Sequence, residues 1–328
     1  PAFETMSASP PAGRRLNRNG AMRVHQRVDA ASVAHDGSGA LAYEGYGSDG
    51  YLIQFSGMDQ MDGAIETINI TDLEGFTKAL RWVTATAESA IDTGEWCCLT
   101  TKLDTYNVRD LLKWGTSDAE PLTVSFWVKS SLTGTYTMSL YSVRTSGQRS
   151  LSKTYAISSA NTWEKKTVTF DADTGGNAMH AGSEQLCIMW ALASGSQWDS
   201  GGSTSSWQDY AHATWLGQNG NDAIITTASA SFLMTGVQAE VGSTATDFEY
   251  KSYEEELRDC QRYSYVMGEQ AYSVFAMGAI ESSTTFLGLV NFPQTMRSIP
   301  SVTVSGTTRC WDASSATNTS STGMQTNE

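Results

Sequence analysis

One long segment of this chain, Ser194–Asn221, combines aromatic and polar side chains with many glycines and serines. Tryptophan on a loop can hold a sugar ring, because the indole stacks on the apolar C–H face while neighbouring polar groups bind the hydroxyls. A loop of this length inside a compact domain usually has a function. The candidate glycan-binding residues are Trp198, Trp207, Tyr210, His212 and Trp215.

A structural role for the same residues is the alternative, and we favour it for the group. Aromatic side chains bury much apolar surface, so they would pack the loop on the body of the protein or on a neighbouring subunit. Both interpretations stay open at this point.

Residues suited to catalysis do not form a recognisable pattern. The four histidines are scattered, and no nucleophile elbow, zinc-protease motif or glycine-rich phosphate loop occurs. Carboxylate pairs for glycoside cleavage can be assembled from almost any set of 35 acids, so their presence proves nothing. We therefore expect a non-enzymatic protein, with a glycan hydrolase as the weaker alternative.

Metal and cofactor sites are not expected either. The five cysteines include one adjacent pair and no C-x-x-C spacing, so free thiols are predicted, with no zinc site and no cofactor. The run Asp171–Gly176 has a spacing that suits calcium, but it lacks the remaining ligands of a calcium loop. A turn is therefore favoured there.

Charge and hydropathy limit the partners. The net charge of −14 argues against nucleic acid, since a protein that binds phosphates needs a basic patch. No apolar run approaches the roughly 20 residues that cross a bilayer. The first residues contain no apolar stretch typical of a secretory signal, so we expect synthesis in a cytoplasm and no membrane insertion.

The elements that position the loop read as short strands separated by turns. Leu122–Val128 is the clearest strand, with Leu122, Val124, Phe126 and Val128 on one face. It looks like the inner strand of carbohydrate-binding jelly rolls. Strands at this spacing, without helical patterns between them, predict an all-β antiparallel sandwich.

The two ends differ from this pattern. Residues 1–20 contain three prolines and a small basic cluster, and they predict an extended attachment arm; a floppy terminus is the alternative. After residue 266 further strands are expected at Tyr272–Ala279, Thr285–Val290 and Val302–Val304, and then a polar tail. The arm's candidate attachment residues are Arg14, Arg15 and Arg18.

The stretch Phe232–Tyr265 reads as a strand, a loop and a capped helix. Phe232, Met234 and, less strictly, Val237 alternate with smaller or polar neighbours, as in a half-buried strand. Ser252 and Glu255 have the spacing of a capping box, in which each side chain binds the other's backbone N–H. A stripe of Tyr253, Leu257 and Cys260 follows on the predicted helix.

Three segments of the chain, spread over about 280 residues, resemble in order the segments of a known group of proteins. The first is Asn19-Gly20-Ala21-Met22 followed by His25-Gln26-Arg27. The second comprises Gly236-Val237-Gln238-Ala239-Glu240, Gly242, Ala245-Thr246, Phe248-Glu249, Glu256-Leu257 and Cys260-Gln261-Arg262-Tyr263. The third is Phe292-Pro293, Met296-Arg297, Pro300 and Val302. In this order they resemble segments of tail fibres and other virion proteins of tailed phages, marine phages in particular. The mild departures are Ala239 for leucine and Lys251 for arginine.

The resemblance implies a virion protein with a jelly-roll β-sandwich, located in the particle and taking part in host attachment. A homotrimer is implied by the family alone, since no heptad run supports it. Other tail or head proteins would bind the N-terminal arm, and a host surface glycan is a further expected partner. The alternatives are a receptor-binding module and a capsid-decorating fibre. The expected divisions are an arm (1–20), a sandwich (21–250), a connecting helix (251–265) and a C-terminal β unit (266–328).

Overall fold

The structure is a computed structural model that describes residues 15–26, 31–33, 43–144, 147–179, 184–199, 206–211, 213, 215–216, 222–267, 277–282, 285–301, 308–312 and 317–321. The chain divides into two compact units, Pro1–Leu257 and Arg258–Glu328. The boundary falls inside a helix, Tyr253–Gln261. The two units are described in turn.

The first unit consists mainly of strands. They are β1 (Ala31–Val33), β2 (Tyr43–Tyr46), β3 (Tyr51–Ser56), β4 (Asp62–Asn69), β5 (Lys78–Thr86), β6 (Trp96–Leu103), β7 (Leu122–Ser130), β8 (Gly134–Val143), β9 (Arg149–Ile157), β10 (Glu164–Phe170), β11 (Gln185–Ser194), β12 (Gln208–Asp209) and β13 (Ser231–Val241). The helices are α1 (Thr105–Asn107), continued by a π-helical turn (Val108–Leu112), then α2 (Ser196–Asp199), α3 (Ala223–Thr226) and α4 (Tyr253–Gln261). None of the helices described is both long and apolar enough to cross a membrane.

The strands form two antiparallel sheets. One has six strands in the order β1-β4-β5-β13-β7-β10, and the other has seven in the order β12-β9-β8-β11-β6-β3-β2. The chain changes sheet repeatedly, for example from β6 to β7 and from β7 to β8, as in a jelly roll. The predicted all-β antiparallel sandwich is therefore confirmed.

The core between the sheets follows from the alternation of side chains along each strand. In β7 the side chains of Leu122, Val124, Phe126 and Val128 are fully buried in one continuous core, as the sequence predicts. Trp82 from β5 and Trp190 from β11 lie in the same core. Burial of so much apolar area is the main stabilising term for this unit.

A β-bulge in β13 explains why its alternation is irregular. The register with β7 shifts between Thr235 and Gln238, and Gly236 has a φ of 61°, a backbone conformation that favours glycine. Phe232 and Met234 face the core before the bulge, and Val237 and Ala239 face it afterwards. The bulge thus keeps the core face of the strand apolar although the spacing changes.

The capping box before α4 is confirmed. The Ser252 hydroxyl accepts from the Glu255 N–H at 3.2 Å, and the Glu255 carboxylate accepts from the Ser252 N–H at 2.9 Å. The predicted apolar stripe is only partly right, because Tyr253 is exposed, whereas Glu256 is buried. Helix periodicity places Glu256 one turn before the buried Cys260, so the buried side of the helix includes a charged residue.

The second unit contains two described hairpins. They are formed by β14 (Met277–Ser282) with β15 (Thr285–Leu289), and by β16 (Thr308–Asp312) with β17 (Thr317–Ser321). β15 agrees with the predicted strand Thr285–Val290, whereas β14 overlaps the predicted strand Tyr272–Ala279 only at residues 277–279. Residues 272–276 lie outside the described part, as does Val302–Val304. The second hairpin lies where a polar tail is expected. β17 contains two threonines and β16 contains one, and threonine suits a sheet better than a coil.

Candidate functional site

Three aromatic side chains, those of Trp96, Tyr141 and Trp198, pack around the ring of Trp215 on one face of the seven-stranded sheet. Trp96 and Tyr141 lie on β6 and β8, while Trp198 and Trp215 come from the segment after β11. The ring centroid of Trp215 lies 4.6 Å from Trp96, 5.2 Å from Trp198 and 5.9 Å from Tyr141. Tyr210 joins through Tyr141, at 5.0 Å. We call these five residues the outer aromatic cluster.

The outer aromatic cluster lies on the face of the sheet opposite the main core. In β6, Cys97 and Leu99 belong to the main core, while Trp96 and Cys98 pack in the second cluster. Leu216 is fully buried against the same face. The segment after β11 therefore covers the outer face of this sheet, and β11 is buried on both sides.

Hydrogen bonds fix the segment to the sheet. The indole N–H of Trp198 donates to the Gly94 carbonyl at 2.8 Å, and the Ser139 hydroxyl donates to the Trp215 carbonyl at 2.5 Å. The Tyr141 hydroxyl donates to Gln148 at 2.7 Å, and burial raises the pKa of Tyr141 to about 12. The indole N–H of Trp215 is buried without a partner among the described residues. The hydrogen bonds of the Trp198 indole and the Trp215 carbonyl support the structural alternative, in which both residues pack the loop on the sheet.

Trp207 lies apart from the outer aromatic cluster. Its ring packs edge-to-face on the buried Trp114 at 4.8 Å, and its indole N–H donates to the Asp171 carbonyl at 2.7 Å. Arg149 donates to the Trp207 carbonyl at 3.1 Å and to the Asp209 carboxylate at 2.7 Å. The Asp209 side chain is 87% exposed and that of Asp171 is 67% exposed. The half-buried indole thus lies near two exposed carboxylates, each paired with a cation: Asp171 with Lys153 at 3.3 Å, and Asp209 with Arg149.

Asp173 is held by two arginines, which supports the predicted turn at Asp171–Gly176. Its buried carboxylate pairs with Arg144 at 2.5 Å and with Arg149 at 2.8 Å. Calcium would have to displace both guanidinium groups from the carboxylate of Asp173.

A different acidic group, Asp59, Glu88 and Glu95, has the arrangement of possible metal ligands, with three carboxylate oxygens within 4.8 Å of one another. Burial raises the pKa of Glu95 in this group.

The predicted candidate set is therefore divided by the structure. Trp198, Tyr210 and Trp215 belong to the outer aromatic cluster. Trp207 packs elsewhere, on Trp114. His212 lies outside the described residues. Sequence reasoning missed Trp96 and Tyr141. The signal for Trp96 was present, since the alternation of Trp96-Cys97-Cys98-Leu99 assigns Trp96 and Leu99 to opposite faces of one strand.

A second arrangement joins segments that are far apart in the sequence. The backbone N–H of Leu16 donates to Ala239 at 2.8 Å, and that of Val237 donates to Gly20 at 2.9 Å. The Asn17 side-chain amide binds the Val237 carbonyl at 2.9 Å and the Ala239 N–H at 2.8 Å. Pairing of β13 with β5 ends at Met234. Beyond the bulge, the segment 15–24, which we call the N-terminal strap, thus takes the place of β5.

Glu256 fixes the N-terminal strap from the other side. Its carboxylate accepts hydrogen bonds from the Arg15 guanidinium and from the backbone N–H of Asn19. The Arg15 N–H donates to Glu249 at 2.8 Å, and its guanidinium lies 5.2 Å from the centroid of the Phe248 ring. Asn19 belongs to the first segment quoted for its resemblance and Phe248, Glu249 and Glu256 belong to the second, whereas Arg15 lies outside both.

The predicted attachment arm needs correction over its last residues. Arg15 is buried, and Arg18 is half-buried and donates to the Lys102 carbonyl at 3.2 Å, so neither is a free cation on an extended arm. The physical reason is that β13 needs a partner past its bulge, and residues 15–20 provide it. Arg14 and the preceding residues lie outside the described part of the chain.

No family model and no curated protein matches this chain. Among solved structures, the enzymatically active domain of tailspike protein 4 of bacteriophage CBA120 is 11% identical; the match covers 58% of this chain and 19% of that chain, with a TM-score of 0.32. The family 11 carbohydrate-binding module of a Clostridium thermocellum cellulase is 11% identical over 67% of this chain and 99% of that one, at a TM-score of 0.29. A putative sugar-binding protein from Bacteroides thetaiotaomicron is 9% identical over 69% and 99%, at 0.32. Likeness at this level carries no argument about function.

Proposed function

We propose that this chain is a non-enzymatic structural protein of a tailed-phage particle, a tail fibre or tail-associated component. It assembles as a symmetric oligomer, with a homotrimer as the expected form, and it contributes to host attachment.

The observation that carries the proposal is the contact between two of the resembling segments. Asn19 and Gly20 from the first segment bind Glu256 and Val237 from the second, across more than 200 residues of sequence. Chance matches at distant positions would have no reason to form one buried arrangement. The contact supports reading the matches as parts of one fold shared with those virion proteins.

The attachment role falls to residues 1–14, since residues 15–24 form the N-terminal strap. A chain lacking residues 1–14 keeps Arg15 and its partners, so it should fold normally. We expect this deletion to leave the unfolding temperature unchanged and to abolish incorporation into particles.

The proposal is tested on purified particles of the phage that encodes the chain. Peptide mass spectrometry of washed particles should detect the full chain in a fixed ratio to the other virion proteins, and gold-labelled antibody should mark one location. Particles without the chain, from a lysate in which it is expressed, would contradict the proposal.

The second candidate function is contact with a host glycan at Trp207. The favouring observation is the half-buried indole near the exposed side chains of Asp171 and Asp209. Side chains of these types stack on sugar rings and bind their hydroxyls. Trp207→Ala should reduce adsorption of particles to host cells and leave assembly intact. Trp215→Ala provides the comparison, since its ring packs in the outer aromatic cluster and its loss should lower stability first. Adsorption equal to wild type for Trp207→Ala would remove this candidate.

A further inference from the structure

Three carboxylates converge where the chain twice crosses between the sheets. Asp59 lies in the connection from β3 to β4, while Glu88 and Glu95 lie in the connection from β5 to β6. One oxygen of each carboxylate lies within 4.8 Å of those of the other two. β3 and β6 belong to the seven-stranded sheet, and β4 and β5 belong to the six-stranded sheet. The three acids therefore bring two separate crossings of the chain together.

Two of these acids are removed from water, and nothing in the described chain neutralises them. Glu88 is 2% exposed and Glu95 is 5% exposed. A buried carboxylate ordinarily has a cationic partner, because it has lost its hydration. Within the residues described here, no lysine, arginine or histidine forms an ion pair with Asp59, Glu88 or Glu95. Burial raises the pKa of Glu95, and the carboxylates of Glu88, Asp92 and Asp59 raise it further. The repulsion among these acids is therefore unrelieved by the protein.

Backbone amides fix the two buried carboxylates but leave one oxygen without a donor. Glu88 Oε2 accepts the N–H groups of Gln60 at 3.1 Å and Met61 at 3.2 Å. Glu95 Oε2 accepts the Asp92 N–H at 2.8 Å. The other oxygen, Glu95 Oε1, has no hydrogen-bond donor in the part of the chain that the structure describes. Buried polar atoms normally have a partner, so an unpaired carboxylate oxygen beside two further carboxylates indicates a positively charged ligand.

We propose that Asp59, Glu88 and Glu95 form a calcium-binding site that joins the β3–β4 connection to the β5–β6 connection. Ligands that are all carboxylate oxygens favour a hard cation, whereas zinc prefers nitrogen and sulfur. Calcium takes about 6–8 oxygen ligands in a flexible geometry, so water at the exposed Asp59 can supply the remaining ones. The ligands come from two connections, so no contiguous motif marks the site in the sequence. This inference does not depend on the proposed virion role.

The first experiment titrates calcium chloride into the full chain after treatment with a chelator, and calorimetry measures the binding. The wild-type chain should bind one ion, and its unfolding temperature should rise with calcium concentration, because the ligand binds the folded state. Asp59→Asn should fold as the wild type does, since Asp59 is exposed and its carboxylate has no hydrogen bond in the described part. Its calcium affinity should fall at least about tenfold, since even outer-shell partners change metal affinity about 10–100-fold.

Asp171→Asn is the matched control. Asp171 is an exposed aspartate in the run Asp171–Gly176, whose spacing also suits calcium, and its substitution should leave calcium binding unchanged. The inference is overturned if the wild-type chain binds no calcium and unfolds at the same temperature in calcium and in chelator. It is also overturned if Asp59→Asn binds calcium as tightly as the wild type, or if Asp171→Asn is the variant that loses binding.

Discussion

Arg15 and Glu256, 241 residues apart, form an ion pair whose side chains are 0% and 4% exposed. The pair connects the N-terminal strap with the first turn of α4. Because two ions are removed from water, the arrangement is favourable only while both partners and their hydrogen bonds are present.

Removal of Glu256 should therefore strongly destabilise the first unit. Glu256→Ala leaves a buried guanidinium unpaired, and we expect a loss of about 3 to 5 kcal/mol in the free energy of unfolding. Denaturant titration with tryptophan fluorescence measures it, since every tryptophan except Trp311 lies in the first unit. Glu254→Ala, an exposed acid on the same turn, should stay within about 0.5 kcal/mol of wild type. Equal effects of the two substitutions would contradict this role of Glu256.

The capping box gives a smaller and more local prediction. Ser252→Ala removes the acceptor of the Glu255 N–H and should cost about 1 kcal/mol. Faster amide exchange in the first turn of α4 is the expected sign. Ser243→Ala, an exposed serine ahead of the helix, is the matched control and should leave that exchange unchanged.

Asp222 should make stability depend on pH. Burial raises its pKa to about 6, with a contribution from Asp199, while its carboxylate accepts the Ser194 N–H at 2.9 Å. A carboxyl whose folded pKa is raised contributes stability that is fully present below its unfolded pKa, near 3.8, and is lost as pH rises through about 6. The unfolding temperature of Asp222→Asn should lack this loss, so at pH 7.5 the variant should be more stable than wild type.

An exposed carboxyl provides the comparison for Asp222. Asp118→Asn should retain the wild-type dependence of unfolding temperature on pH, because Asp118 lies on the surface. If Asp222→Asn and wild type show the same pH profile, Asp222 is not the group responsible.

The cysteines should be inert in the folded protein. Cys97, Cys98, Cys187 and Cys260 are buried and form no disulfide, and burial raises the pKa of Cys97 well above its usual range. Thiolate is the reactive form, so a maleimide should label none of these four before denaturation. Mass spectrometry of labelled peptides identifies each site. Labelling of Cys97 in native buffer would show that the core opens more readily than its burial implies.

The sequence predicts features that arise from near neighbours. Alternation in Leu122–Val128 and the spacing of Ser252 and Glu255 both depend on a few consecutive residues, and the structure agrees with both. Glu256 differs, because three adjacent glutamates look alike until Arg15 is brought to one of them by the fold. The outer aromatic cluster likewise depends on which sheet face the segment after β11 covers, and no local pattern encodes that.

The bulge in β13 shows the same limit. Gly236 is visible in the sequence, but its effect, a change of partner from β5 to the N-terminal strap, involves residues more than 200 positions away. Residues 15–20 belong to the predicted extended arm, but they contain bends and a turn, and Asn19 has a φ of 50°. Their burial follows from an unpaired stretch of β13 that composition does not reveal.

The central claim, that this chain is a symmetric structural component of a phage particle, is tested most directly by an averaged electron-microscopy image of the purified particle. We expect density for the sandwich at one location, repeated by the symmetry of the tail or head. Particles that contain no such density, or that contain single copies without neighbours of the same chain, would contradict it.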